Sequence, residues 1–232
     1  MSIEQQIQSI RNQIAESEHR YHRQGQVKLL AVSKTKPLSA IEQAYHAGQR
    51  SFGENYVQEA VDKIQAAAQS SWCQQPLEWH FIGPLQSNKT RLVAEHFDWV
   101  QTVDRAKIAQ RLNDQRPSHR PALNICIQVN ISHEESKSGI DLNQLSTLAE
   151  LISKLPNLKF RGLMTIGSKG KASEEFPLMQ HAFHHLKNDY PELDTLSMGM
   201  TDDMPQAIAY GSTLVRIGTA IFGERDYSQQ HH

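Results

Sequence analysis

The residues with most chemistry to offer are one lysine, Lys34, and two small-residue stretches far from it: Ser197-Met198-Gly199-Met200-Thr201 and Arg216-Ile217-Gly218-Thr219. A neutral lysine amine condenses with aldehydes and ketones to Schiff bases. Free lysine titrates at about 10.4, so burial or a neighbouring cation must lower it before it is nucleophilic at neutral pH. Arg216 can supply such a field, contact a ligand, or form a structural ion pair. Gly199 and Gly218 let backbone N–H groups approach an anion, and Ser197, Thr201 and Thr219 add hydroxyls. Together these describe a site for a phosphorylated carbonyl compound held as a Schiff base. The plain alternative is a solvated loop lysine and glycines that only turn the chain.

Other polar groups carry less. His181, His184 and His185 fall at i, i+3 and i+4, but no carboxylate completes a metal site, and they read as a solvated helix face, as do His19 and His22. Asp202 and Asp203 suit the first turn of a helix through its dipole. Cys73 and Cys126 make neither a C-x-x-C pattern nor a disulfide framework, which fits a reducing cytoplasm. Lys89 and Lys137 follow the third and fifth strands and read as surface lysines.

The fold must bring the lysine and the cradle together. Leu29 to Val32 is a short apolar run of the kind found in strands covered on both faces. Pro37 ends it, and Ser39-x-x-Glu42 has the pattern of a capped helix start. Further strands are expected at 50–53, 78–82, 99–103, 123–131 (the longest), 158–166, 195–198 and 214–217. Helices are expected at 39–46, 56–68, 87–96, after Asp104 as a cap, and at 142–155, 179–190 and 204–210. Strict alternation argues for a parallel sheet. Eight units in roughly 200 residues suit a closed (β/α)8 TIM-type barrel, whose phosphate sites commonly lie after strands seven and eight. An open doubly wound sheet is the alternative, but no G-x-G-x-x-G follows the first strand. In a barrel, Lys34, Asn55, residues 197–201 and residues 216–219 share one mouth.

One domain is expected over 1–232, with an N-terminal amphipathic helix within 1–26 and a tail at 227–232. Ile3, Ile7, Ile10 and Ile14 give that helix its apolar face. The 24 basic and 25 acidic residues nearly balance, so charge argues for neither nucleic acid nor an anionic membrane as partner. No apolar run approaches the roughly 20 residues of a membrane span. The polar N-terminus is unlike a secretory signal.

Seven stretches are similar, in order, to the pyridoxal phosphate homeostasis protein family. They are Val32-Ser33-Lys34-Thr35-Lys36-Pro37, Phe52-Gly53-Glu54-Asn55-Tyr56, Trp79-His80-Phe81-Ile82-Gly83-Pro84-Leu85-Gln86, Ser136-Lys137-Ser138-Gly139, Arg161-Gly162-Leu163-Met164, Leu196-Ser197-Met198-Gly199-Met200 and 215–223. The resemblance spans about residues 29–227. It implies a barrel like the N-terminal domain of alanine racemase, of the fold-type III pyridoxal phosphate proteins. Pyridoxal 5'-phosphate would be held as a Schiff base on Lys34 rather than on Lys36, which has the same strand parity. The phosphate would lie on Ser197, Gly199, Met200, Thr201, Gly218 and Thr219, with Arg216 at the pyridine nitrogen and Asn55 near the ring. Thr201 stands where the family commonly has serine, and the hydroxyl is kept.

An arginine can only donate to the pyridine nitrogen, so it favours the unprotonated ring and weakens the electron sink. Alanine racemases add a second domain bearing a catalytic tyrosine, and none is expected in this chain. The resemblance thus implies a cofactor carrier without established turnover; a cytoplasmic protein is expected from the cysteines and the polar N-terminus, and a monomer is expected over a dimer. The carrier would buffer the cofactor and deliver it transiently to pyridoxal phosphate-dependent apo-enzymes; a part for Lys137 in that transfer, from its Ser-Lys-Ser-Gly loop, is the alternative to a surface lysine. The rivals are a small amino-acid racemase using the same cofactor and a lysine-dependent aldolase acting on a sugar phosphate.

Overall fold

The structure is a computed structural model that describes residues 1–224; the tail expected at 227–232 lies outside the described residues. Among these residues, eight parallel strands close into a barrel in sequence order, the first pairing with the last. The strands are β1 (Lys28–Val32), β2 (Ser51–Glu54), β3 (Glu78–Phe81), β4 (Trp99–Val103), β5 (Leu123–Val129), β6 (Leu158–Thr165), β7 (Thr195–Ser197) and β8 (Leu214–Ile217). A first helix, α1 (Ile3–Arg20), precedes the barrel. Those between and after the strands are α2 (Leu38–His46), α3 (Val57–Ala68), α4 (Thr90–His96), α5 (Ala106–Gln115), α6 (Leu145–Ser153), α7 (Ala172–Lys187), α8 (Met204–Ala209) and α9 (Thr219–Phe222). The expected (β/α)8 barrel is the one observed.

Strand composition follows from position in this architecture. Strands inside a barrel meet side chains within and helices outside, so β-branched and aromatic residues bury on both faces. Every residue of β4 is buried, and Leu29, Leu30 and Ala31 of β1 are buried between exposed Lys28 and half-buried Val32. Helix α5 packs one stripe, Ile108, Ala109, Leu112 and Asn113, onto the sheet. Between β6 and β7 the backbones approach so closely that a Cβ on Gly162 would lie 1.7 Å from the Thr195 carbonyl oxygen. Only glycine fits there.

Helix α1 seals a flank of the barrel. Ser2 and Gln5 form a reciprocal capping box at its start. Ile7, Ile10 and Ile14 are buried, each worth about 2 kcal/mol of apolar burial, and the helix contacts α2, α8 and α9. Arg23 then donates to the carbonyls of Ile208, Gly211 and Ser212, and Glu18 accepts from the Val27 N–H at 2.9 Å. These bonds lock the incoming chain to the closing seam between α8 and β1. No helix among the described residues is long and apolar enough to cross a membrane.

Several local expectations change. Pro37, not a serine, occupies the N-cap of α2, and Ser39 lies inside the helix. The fixed φ of proline suits it to a helix start, so the pattern is displaced by two residues. Arg105 takes the N-cap of α5; Asp104 instead accepts the Gly139 N–H at 3.0 Å, tying down the loop after β5. The longest strand is β6, with 8 residues, because β5 ends at Val129 and Asn130 turns into that loop. Two expected helices begin as 3-10 turns, Ser87–Lys89 and Leu142–Gln144. Helix α7 starts well before 179 and runs through Pro177.

Candidate functional site

Lys34 follows β1 at the C-terminal mouth of the barrel, where loops can vary without disturbing the core. A cavity of about 830 Å³ opens there, bordered by Lys34, Met200, Thr201, Arg216, Gly218 and Thr219. The strand ends at Val32, and Thr35 adopts φ 65°, an uncommon left-handed value for a β-branched residue. That turn separates two lysines that strand parity could not: Lys36 Nζ donates to the Glu224 carbonyl at 2.6 Å, away from the cavity.

The opposite wall comes from the ends of β7 and β8. Gly199 has φ 106°, and a Cβ there would stand 2.6 Å from the Ala207 Cβ of α8. Its carbonyl accepts the Arg216 N–H at 2.9 Å, which ties the two strand ends together. Beyond β8, the N–H groups of Ile221 and Phe222 both return to the Gly218 carbonyl. The N–H groups that open α9 are therefore left for another acceptor, as at any helix start. One cradle amide is already engaged by an internal anion: Met200 N–H donates to Asp203 Oδ1 at 2.7 Å.

Beneath the cavity a hydrogen-bonded chain crosses the barrel interior. Arg216 donates to Ser197 Oγ at 2.6 Å and to the Thr165 carbonyl at 2.9 Å. Ser197 donates to Gln101 Oε1 at 2.6 Å, and Gln101 Nε2 donates to His80 Nδ1 at 2.8 Å. His80 Nδ1 is then an acceptor, so Nε2 carries the proton and donates to Glu78 Oε1 at 2.6 Å. Lys28 also donates to that carboxylate. Every bond points the same way, from the arginine at the mouth to the glutamate at the barrel floor.

Burial sets the charges along this chain. It pulls the Arg216 guanidinium down to about 10, still cationic at neutral pH. It pushes the His80 imidazole down to about 4, so the ring is neutral; it stacks on Trp99 with centroids 4.8 Å apart. Burial alone would raise Glu78, but hydrogen bonds from His80 and Lys28 overcome it and bring the carboxyl to about 2. The result fixes a cation at the cavity floor with two nitrogens already committed. Such an arginine can donate to a ring nitrogen but cannot accept from it.

The structure therefore gathers Lys34, Met200, Thr201, Arg216, Gly218 and Thr219 around one cavity. Ser197 and Gly199 lie just below, Ser197 fully buried with its hydroxyl engaged at both ends. Asn55 borders a second cavity of about 320 Å³, shared with Lys137 and Ile166. Its Oδ1 is buried without a partner among the described residues. Sequence reasoning missed His80 and Gln101. Their signal was a polar residue beside apolar ones within a strand, Trp79-His80-Phe81 and Trp99-Val100-Gln101. The described residues contain no cluster of His, Cys, Asp or Glu able to hold a metal ion.

Comparison with known proteins gives a consistent picture. Residues 6–226 match the family model of the alanine racemase N-terminal domain. Two relatives named pyridoxal phosphate homeostasis protein are close in length and sequence. That of Pasteurella multocida is 57% identical over 236 residues, covering 99% of this chain and 100% of the relative. That of Escherichia coli K12 is 60% identical over 209 residues, covering 88% of each. PipY of Synechococcus elongatus PCC7942, solved with PLP bound, superimposes with a TM-score of 0.81 at 37% identity, covering 96% of this chain and 100% of PipY. Alanine racemase of Corynebacterium glutamicum, at 13% identity and a TM-score of 0.68 over 94% of this chain and 60% of the racemase, shares the fold. By these matches the chain belongs to the pyridoxal phosphate homeostasis protein family, built on the alanine racemase N-terminal barrel.

Proposed function

We propose that this chain binds pyridoxal 5'-phosphate in the mouth cavity and holds it reversibly as a Schiff base on Lys34. Its role is intracellular homeostasis of the cofactor, by buffering the reactive aldehyde and delivering it to apo-enzymes in the cytoplasm. The observation that carries the reading is that one lysine and the glycine- and hydroxyl-bearing ends of β7 and β8 border a single cavity. A resident Cβ at Gly199 would collide with α8, so the cradle tolerates no larger residue at its base. Those donors suit a phosphate, and a cationic Arg216 at the floor suits a pyridine nitrogen that accepts.

The cofactor supplies the aldehyde. Lys34 would supply the amine for an imine with that aldehyde, a C=N bond replacing C=O with the loss of one water. Thr201, Thr219 and the amides opening α9 orient the phosphate, and Arg216 orients the ring. Because Arg216 only donates, it would not favour the protonated ring that makes strong carbanion chemistry possible. We therefore read the site as one that holds the cofactor rather than turning over amino acids.

Titrating the cofactor-free protein with pyridoxal 5'-phosphate should give the yellow absorbance of an internal imine, which borohydride abolishes. Lys34→Ala should give none while retaining its circular dichroism. A wild-type protein that saturates without any imine band contradicts the reading. Incubating the yellow protein with L-amino acids should yield no sustained production of D-enantiomers; turnover would establish the racemase instead.

A further inference from the structure

The chain on either side of Lys34 is tied to a cation that does not face the cavity. Lys63, on α3, is buried, and its Nζ donates to the Ser33 carbonyl at 2.8 Å. It also lies 3.1 and 3.2 Å from the two carboxylate oxygens of fully buried Glu54 and 2.7 Å from Glu59 Oε1. Glu59 Oε1 in turn accepts the Thr35 N–H at 2.6 Å. Ser33 Oγ donates to Glu54 as well. Ser33 is thus held through its carbonyl and hydroxyl, and Thr35 through its amide, with Lys34 between them. An ammonium has three donors, and three groups surround this one: Ser33, Glu54 and Glu59.

A purely structural ion pair would not need this arrangement. Burying a carboxylate with an ammonium is seldom better than apolar packing, and here the buried Glu54–Lys63 pair, joined by the partly exposed Glu59, secures one backbone segment. Thr35 carries a left-handed φ of 65°, which a β-branched residue avoids unless its surroundings impose it. The charge-assisted bond to Glu59 imposes it. That conformation turns the chain immediately after Lys34, sending Lys34 to the cavity and Lys36 to the Glu224 carbonyl. None of Glu54, Glu59 and Lys63 borders the cavity.

We propose that Lys63, with Glu59 and Glu54, forms a positioning centre that fixes the backbone from Ser33 to Thr35 and so presents the Lys34 amine to an aldehyde carbon bound in the cavity. The inference rests on the reading of Lys34 as the Schiff-base residue. Glu59 is the accessible member, 31% exposed at its side chain, so its truncation leaves the buried Glu54–Lys63 pair intact.

The test compares two ligands on three proteins: wild type, Glu59→Ala and Glu59→Gln. Pyridoxal 5'-phosphate can form the imine, whereas pyridoxine 5'-phosphate has an alcohol in place of the aldehyde and binds only through phosphate and ring. Thermal unfolding of each cofactor-free protein reports on folding. Glu59→Ala should bind the aldehyde about tenfold more weakly and form the imine more slowly, while its affinity for the alcohol stays within about twofold of wild type. Glu59→Gln keeps a carbonyl oxygen for the Thr35 N–H and should recover most of the loss. Equal losses for both ligands, or no loss for either, overturn the positioning role. A wild-type protein that binds the alcohol but forms no imine with the aldehyde overturns the reading of Lys34 itself, and the positioning role with it.

Discussion

Replacing Gln101 by leucine tests whether the interior chain behaves as one connected unit. Gln101 is fully buried, accepts from Ser197 and donates to His80. Leucine would leave two buried groups without protein partners, the His80 Nδ1 lone pair and the Ser197 hydroxyl proton. Each orphaned buried group costs about 1–3 kcal/mol, so the variant should lose about 3 kcal/mol after allowing for the apolar area leucine gains. Ser197→Ala also creates two orphans, Gln101 Oε1 and one Arg216 N–H, and should cost a similar amount. The double variant leaves only His80 Nδ1 and that Arg216 N–H unpaired. Two orphans remain where the sum of singles counts four, so the double should cost about 3 kcal/mol rather than about 6. Urea unfolding at neutral pH, with unchanged m-values, gives the three differences. Additive losses would refute the claim that these side chains form one chain of bonds, and a Gln101→Leu protein as stable as wild type would refute their burial cost.

Two further outcomes follow from the same geometry. His80 titrates near 6.5 when unfolded but at about 4 in the fold. A depressed folded value contributes stability that is present above the unfolded value and is lost as pH falls towards the folded one. Wild type should therefore lose roughly 3 kcal/mol between about pH 6.5 and 4 relative to a His80→Gln variant, measured by urea unfolding across that range; parallel curves would contradict a buried neutral imidazole. Asp203 occupies the Met200 amide that faces the proposed phosphate site. Asp203→Asn should bind pyridoxine 5'-phosphate several-fold more tightly, because the ligand no longer competes with a carboxylate; calorimetry showing weaker binding would mean that Asp203 assists the ligand.

Much of the fold was legible because it rests on local physics. Four-residue apolar runs such as Leu29 to Val32 specify buried strands, and their alternation with amphipathic stretches specifies a parallel barrel. Element ends were less legible, since Pro37 and Ser39, or Asp104 and Arg105, are competing caps whose outcome depends on packing around them. At the site, the separation of Lys34 from Lys36 was beyond any periodicity argument. It comes from a left-handed Thr35 held by Glu59, 24 residues away. Glu59 and Lys63 look, at i and i+4 on a helix, like an ordinary solvent-exposed pair. Only the fold shows that the lysine points inward to the Ser33 carbonyl. The interior chain was equally hidden, since Gln101 and Ser197 are 96 residues apart.

The central claim is that Lys34, and not another lysine at the mouth, forms the bond to the cofactor. It is tested most directly by incubating the protein with pyridoxal 5'-phosphate, reducing with borohydride, and mapping the labelled peptides by mass spectrometry. The cofactor-derived mass should sit on the Lys34 side chain in wild type and vanish in Lys34→Ala. A label that falls on Lys36 or Lys137 while Lys34 stays unmodified would contradict the account.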